Sequence, residues 1–160
     1  MHCIFIPVKF ILIFCTVLIT SCKTQEFTPL NYNEEMIVFG KGGGFTGQVK
    51  EYCLLSNGQF FKDSNRGEDI LSLENVDKQR VDQIFKSYQL LQLSEETINS
   101  PGNSYSYIIF KKNNVEHKIL WGSKDDIAAD KIKIYFSNLM QLARKQNDLT
   151  KETVVPTMNK

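Results

Sequence analysis

Two side chains in this 160-residue sequence are of the types that carry out nucleophilic catalysis together. Cys53 supplies a thiol and His117 an imidazole, and a Cys–His arrangement of this kind serves in hydrolases and transferases. Cys53, however, alternates with Val49 and Leu55 in a strand pattern, which is typical of a buried structural cysteine. His117 shares a predicted strand face with Ile119, which favours a partly buried or rim position. Catalysis by this pair therefore stands as an alternative and not as the leading interpretation.

A glycine-rich run from Gly40 to Gly47 is the second feature that could do chemistry. Its spacing satisfies Gly-x-Gly-x-x-Gly-x-Val, as in kinase phosphate loops, but the other kinase motifs are absent. A dinucleotide-binding loop would need a helix directly after the glycines, where a strand is predicted. Consecutive glycines still permit positive φ and close backbone approach, so the amides could bind an anion. The alternative is a strand crossing or bulge at which a Cβ would clash.

The candidate binding residues come from this run and from the one tryptophan. Trp121 ends a predicted strand, where an indole most often seals the edge of the core, and it would serve a ligand only if exposed beside Phe45. The full candidate set is Gly42, Gly43, Gly44, Phe45, Thr46, Gly47 and Trp121.

Metal and serine chemistry have no signature in the sequence. There is no Cys-x-x-Cys and no Gly-x-Ser-x-Gly, and His117 is the only histidine after residue 2. The acidic pairs at 34–35, 95–96 and 125–126 fall in predicted loops or at a helix start. We therefore expect no catalytic residues, no metal and no cofactor.

The elements that position these residues follow from periodicity. Strands are predicted at 36–39, 48–55, 59–62, 105–112 and 115–121, with hairpin turns at Asn57-Gly58 and Asn113-Asn114. Asn57-Gly58 gives the stronger signal, since Asn-Gly suits a type I′ turn. Apolar residues at helical spacing predict helices over about 77–91 and from about residue 126 to 145. Ser123 and Asp126 would form a capping box for the second helix.

The resulting order of strand, hairpin, helix, hairpin, helix predicts an α+β fold. An antiparallel sheet of about five strands with both helices packed on one face buries both apolar helix stripes in the simplest way. The polar segment 22–35 and the polar end 149–160 have no such period. We therefore expect a tether over 22–35, one domain over 36–148 and a flexible tail over 149–160.

The first 22 residues indicate where in the cell the protein is located. An apolar run over 10–19 has the length of a signal-peptide core and is too short for a spanning helix. It ends at Ile19-Thr20-Ser21-Cys22, which resembles the lipobox of bacterial lipoproteins. The resemblance implies removal of residues 1–21 as a signal peptide and lipidation of Cys22. Two or more acyl chains then make a firm membrane anchor.

The mature chain that remains has a balanced composition. Removing residues 1–21 takes Lys9 from the 19 basic residues, which leaves 18 basic and 18 acidic side chains. The absence of net charge argues against nucleic acid as a partner. Cys53 remains as the only cysteine besides Cys22, so no internal disulfide is available.

The mature domain also resembles small uncharacterised lipoproteins of the Gram-negative envelope. The resemblance rests on Gly42–Gly47, Tyr52, Asn57-Gly58, Pro101–Asn103 and Trp121-Gly122. With the lipobox, it implies a lipid-anchored protein on the outer membrane facing the periplasm. The expected function is a non-enzymatic interaction or ligand-binding module that engages an envelope protein or a ligand. One alternative is a small hydrolase or transferase with a site near the glycine loop, Cys53 and His117. The other is an inhibitor-like module that inserts the Gly40–Gly47 loop into an envelope enzyme.

Overall fold

The computed structural model describes residues 27–63, 70–122 and 128–154, and the statements below concern these ranges. The predicted signal segment with Cys22 and the capping residues Ser123 and Asp126 lie outside them. Within these ranges the chain forms seven strands and two α-helices, which confirms the α+β class. In chain order the elements are β1 (Met36–Gly43), β2 (Lys50–Leu55), β3 (Phe60–Asp63), β4 (Ile70–Leu73), α1 (Lys78–Leu90), a short 3₁₀ helix (Leu93–Glu95), β5 (Asn99–Ser100), β6 (Ser104–Lys112), β7 (Val115–Trp121) and α2 (Asp130–Val154).

The strands form one sheet in the order β4-β3-β2-β1-β6-β7-β5. Neighbours are antiparallel except for β5, which runs parallel to β7. The sheet is therefore mixed and has two more strands than the five expected. The additional strands, β4 and β5, are four and two residues long and pair at opposite edges.

Both helices pack on one face of the sheet, as expected. Side chains alternate between faces along a strand, so Ile37 and Phe39 of β1 point to the helices and Met36 and Val38 point away. The helix-side cluster includes Tyr88 of α1 with other buried residues of both helices. Helix α1 begins where its sequence predicts, because the Asp77 carboxylate accepts a hydrogen bond from the Arg80 amide at 2.9 Å.

The hairpin at Asn113-Asn114 is confirmed, whereas the first hairpin differs from the prediction in its turn type. Asn113 and Asn114 both have positive φ, at 48° and 64°, so the type I′ geometry occurs there. At the first hairpin only Gly58 has positive φ, at 96°. The Leu55 amide bonds to the Gln59 carbonyl, which leaves a three-residue loop. The type I′ prediction for Asn57-Gly58 is therefore wrong, because Gly58 alone takes the left-handed conformation while its carbonyl accepts a bond from the Val76 amide at 2.9 Å.

Both domain boundaries lie further out than expected. Helix α2 continues to Val154, beyond the predicted start of the tail at 149. Thr150 holds this end to the domain, since its hydroxyl accepts from the Glu74 amide at 3.1 Å and donates to the Gln146 carbonyl at 2.8 Å.

At the other end, part of the predicted tether packs against the sheet. Tyr32 is buried on the face without helices, and its hydroxyl lies 2.7 Å from Ser56 Oγ. The Phe27 amide donates to Gln59 Oε1 at 3.3 Å, and the Glu35 carbonyl accepts from the Ser56 amide. Residues 27–35 are therefore part of the domain.

Candidate functional site

Cys53 lies in β2 on the sheet face without helices. Its side chain is 6% exposed, and the thiol lies 3.9 Å from the sulfur of Met36. Burial, and secondly the negative charge of Glu51, raise the pKa of the Cys53 thiol to about 12. A thiol of this kind is almost wholly protonated at neutral pH, which makes it a poor nucleophile.

His117 lies on the opposite face. Cys53 aligns across the sheet with Val38, Ile109 and Lys118, and His117 is adjacent to Lys118 in β7, so its side chain points to the helices. Because Cys53 and His117 occupy different faces, they cannot act as nucleophile and base on one substrate. The structure thereby removes the pair on which the hydrolase or transferase alternative rested.

Both ring nitrogens of His117 have structural partners. Nε2 donates to the Glu96 carbonyl at 2.8 Å, which leaves Nδ1 to accept from the Tyr88 hydroxyl at 2.7 Å. Tyr88 is buried in the helix-side core. His117 thus joins β7, α1 and the segment before β5, and the structure assigns it a role in stability.

The first glycines of the run belong to β1 and serve close packing. A Cβ on Gly42 would lie 2.6 Å from the Tyr105 ring, and one on Gly43 would lie 2.1 Å from the Asn103 carbonyl oxygen. Gly43 also has a φ of 89°, which other residues rarely adopt. These two positions fit the alternative of a strand crossing at which a Cβ would clash.

The rest of the run forms a tight exposed turn. The Gly44 amide donates to the Asn103 carbonyl at 2.7 Å, and the Gly47 amide donates to the Gly44 carbonyl at 3.2 Å. Because these two amides already have partners, the turn offers fewer donors to an anion than the sequence indicates. Phe45 is fully exposed at the tip, and Thr46 beside it is also exposed.

Trp121 is largely buried, and only a small part of its side chain reaches the surface. Its side chain is 7% exposed and packs edge-on against Phe136, with ring centroids 5.1 Å apart. The indole closes the edge of the helix-side core, and Gly42 is the other candidate binding residue that is buried.

A shallow groove of about 500 Å³ lies next to the turn, where the ends of β1, β6 and β7 meet. Lys41 and Lys50 line it, together with Gln48 and residues at the start of β6. The lining also includes three of the candidate binding residues, Gly42, Gly43 and Trp121. Lys41 Nζ also lies 5.7 Å from the centroid of the Phe136 ring. The described lining includes two lysines and no carboxylate, so it suits an acidic group.

A second cavity, which the sequence did not indicate, lies on the face without helices. It measures about 330 Å³ and contains Cys53 among its lining residues. One wall of the cavity consists of Pro29 and Leu30, which belong to a segment that the sequence predicts as tether. Another part of the lining, Ile70, belongs to β4, which the sequence does not predict. No alternation pattern within one strand could have placed these parts together.

Within the described ranges, no group of three or more histidine, cysteine or acidic side chains is arranged to hold a metal ion. No helix in the same ranges combines the length and apolar character needed to cross a membrane. Comparison with known proteins adds no relative: no protein-family model matches the chain, and no curated protein matches it significantly.

Proposed function

We propose that this protein is a lipid-anchored, non-enzymatic interaction module of the bacterial cell envelope, which engages a partner protein through the turn at Phe45. The proposed location rests on Ile19–Cys22, which resembles a lipobox. The interaction is inferred from Phe45, because its side chain is fully exposed at the tip of a hydrogen-bonded turn.

An aromatic side chain in this position contributes nothing to the core of its own domain. Exposing a whole phenyl ring to water is unfavourable by about 1.5–3 kcal/mol relative to burying it. Aromatic side chains on ordered elements are frequent anchors of protein interfaces, because little conformational entropy is lost when they are buried. The two backbone bonds at Gly44 and Gly47 give Phe45 such an ordered support.

The groove beside the turn indicates the charge of the partner. Lys41 and Lys50 lie within a few residues of Phe45 on either side. A partner that receives the phenyl ring in an apolar pocket, with acidic groups at the rim, would be complementary to both features.

The position of the turn relative to the anchor is consistent with this role. Phe27 is five residue steps from Cys22, so the start of the domain lies at most about 18 Å from the lipidated residue. Phe27 contacts Gln59 near the beginning of β1, and Phe45 follows its end. The eight residues of β1 place these ends about 23 Å apart. The turn is thus displayed away from the anchored end.

Site-specific photo-crosslinking tests the proposal. The photoreactive residue p-benzoylphenylalanine replaces Phe45 in the membrane-bound protein, and Ile134, a 61% exposed residue of α2, is replaced in the matched control. We expect a discrete protein adduct from position 45 that is absent from position 134 and is weakened by Lys50→Glu. Equal adducts from both positions, or none from position 45, would contradict the assignment of the turn.

The inhibitor-like alternative is a special case of the same proposal, in which the partner is an envelope enzyme. The exposed, protruding ring favours it, since a protruding loop can enter a cleft. It requires that the crosslinked partner be an enzyme and that the purified protein lower its activity, while Phe45→Ser does so less.

A further inference from the structure

The cavity on the face without helices has an apolar floor between two charged ends. Val38, Cys53, Phe61 and Ile109 form the same row across β1, β2, β3 and β6 and line the middle. Pro29 and Leu30 of the N-terminal segment, with Met36 and Ile70, complete the apolar lining. At about 330 Å³ the cavity lies at the lower end of the range for small-molecule sites.

Its two ends carry opposite charge. Glu51 and Asp63 are partners in the β2–β3 pair and lie at one end, and Lys111 of β6 lies at the other. Lys111 is aligned with Met36 in β1, and Glu51 is aligned with Gly40. These rows are four residue steps apart along the strands, and β2 and β6 are two strand spacings apart, so the backbones of Glu51 and Lys111 are separated by about 16 Å.

Glu51 and Lys111 have partners of different strength. The Tyr107 hydroxyl donates to Glu51 Oε2 at 2.5 Å. Burial, and secondly this bond, raise the pKa of the Tyr107 phenol, so it remains a donor at neutral pH. Lys111 Nζ lies 3.1 Å from Glu116 Oε2, but both side chains are substantially exposed, and a surface pair of this kind is weak and can yield to a ligand.

We propose that this cavity binds a short, linear zwitterion with an apolar body, such as an apolar tripeptide with free ends. Its ammonium group lies at Glu51 and Asp63, its carboxylate lies at Lys111, and its side chains cover the row around Cys53. A tripeptide spans about 10 Å, and the Glu51 and Lys111 side chains reach inward over the remaining distance. The site lies on another part of the molecule than the Phe45 turn and stands independently of the proposed function.

Isothermal titration calorimetry of the whole chain in detergent micelles tests the proposal, with tri-leucine as the probe and protein-free micelles as the blank. We expect saturable binding with one site. Glu51→Gln retains an acceptor for Tyr107, and Lys111→Gln replaces a partly exposed ammonium with a slightly shorter, uncharged polar group, so both variants keep the fold. Each should weaken binding about tenfold, because a charge-assisted hydrogen bond is lost.

Blocked peptides assign the two ends. N-acetylated tri-leucine should bind more weakly and be insensitive to Glu51→Gln, and the C-terminal amide should be insensitive to Lys111→Gln. Lys118→Gln is the matched control, since Lys118 lies on the same face without lining the cavity. An absence of saturable binding at millimolar peptide would overturn the proposal. So would binding that the Glu51 and Lys111 variants leave unchanged, or that Lys118→Gln weakens equally.

Discussion

Replacing Phe45 with serine should separate binding from stability. The Phe45 side chain is fully exposed, so Phe45→Ser removes no core contact, and the free energy of unfolding should change by less than about 0.5 kcal/mol. In a complex the same ring would be buried, and its loss should remove about 1.5–3 kcal/mol of binding free energy. That corresponds to an affinity about 10- to 150-fold lower for the partner protein.

Trp121→Ala provides the opposite case. Trp121 is 7% exposed and packs on Phe136, so its truncation should cost about 3–5 kcal/mol of stability. Urea unfolding followed by far-UV circular dichroism measures both variants, since Trp121 is the only tryptophan and fluorescence would be lost with it. The reasoning is refuted if Phe45→Ser destabilises by more than about 1 kcal/mol, or if it leaves crosslinking to the partner unchanged.

Three further predictions concern the interior. At pH 8 iodoacetamide should modify Cys53 in the folded protein at least about a thousandfold more slowly than in urea, because burial raises its pKa from 9.0 to about 12; peptide mass spectrometry measures this, and comparable rates would show an accessible thiol. Gly43→Ala should lower the melting temperature clearly more than Gly47→Ala, since both have positive φ but only Gly43 would place a Cβ against backbone; equal shifts would contradict the close approach. Tyr88→Phe should cost about 1 kcal/mol in urea unfolding by removing the bond to His117, and an unchanged midpoint would mean that this bond does not contribute.

Local patterns in the sequence predict much of this fold. The apolar spacing of the helix over 78–90 and its Asp77 cap are signals that lie within one short stretch of sequence, and the structure confirms both. The five predicted strands, β1, β2, β3, β6 and β7, are confirmed for the same reason. Strands β4 and β5 are short, and pairing with β3 and β7 defines them, so no local signal marks them.

Tertiary contacts explain the remaining differences. Residues 27–35 are polar on average, but buried Tyr32 and the backbone bonds of Phe27 and Glu35 fix them to the sheet. Thr150 extends α2 because its hydroxyl satisfies an amide 76 residues away. Such contacts join distant parts of the chain and leave no periodic pattern.

The candidate site was predictable only in part. The sequence indicated a glycine-rich loop, but it left open whether Gly42 and Gly43 bind a ligand or pack between strands. It also did not single out Phe45 as the exposed aromatic residue at the tip. Strand alternation gives the relative faces of residues within one strand, whereas the faces of Cys53 and His117 relative to each other depend on the register across β2, β1, β6 and β7.

The most direct test of the central claim, a lipid-anchored module, is metabolic labelling with an alkyne fatty acid followed by membrane fractionation. We predict that the unsubstituted protein incorporates the label and stays with membranes. Cys22→Ala should abolish the label and release the protein, whereas Cys53→Ala, the matched control, should retain both. Persistent labelling and membrane association of Cys22→Ala would contradict the account.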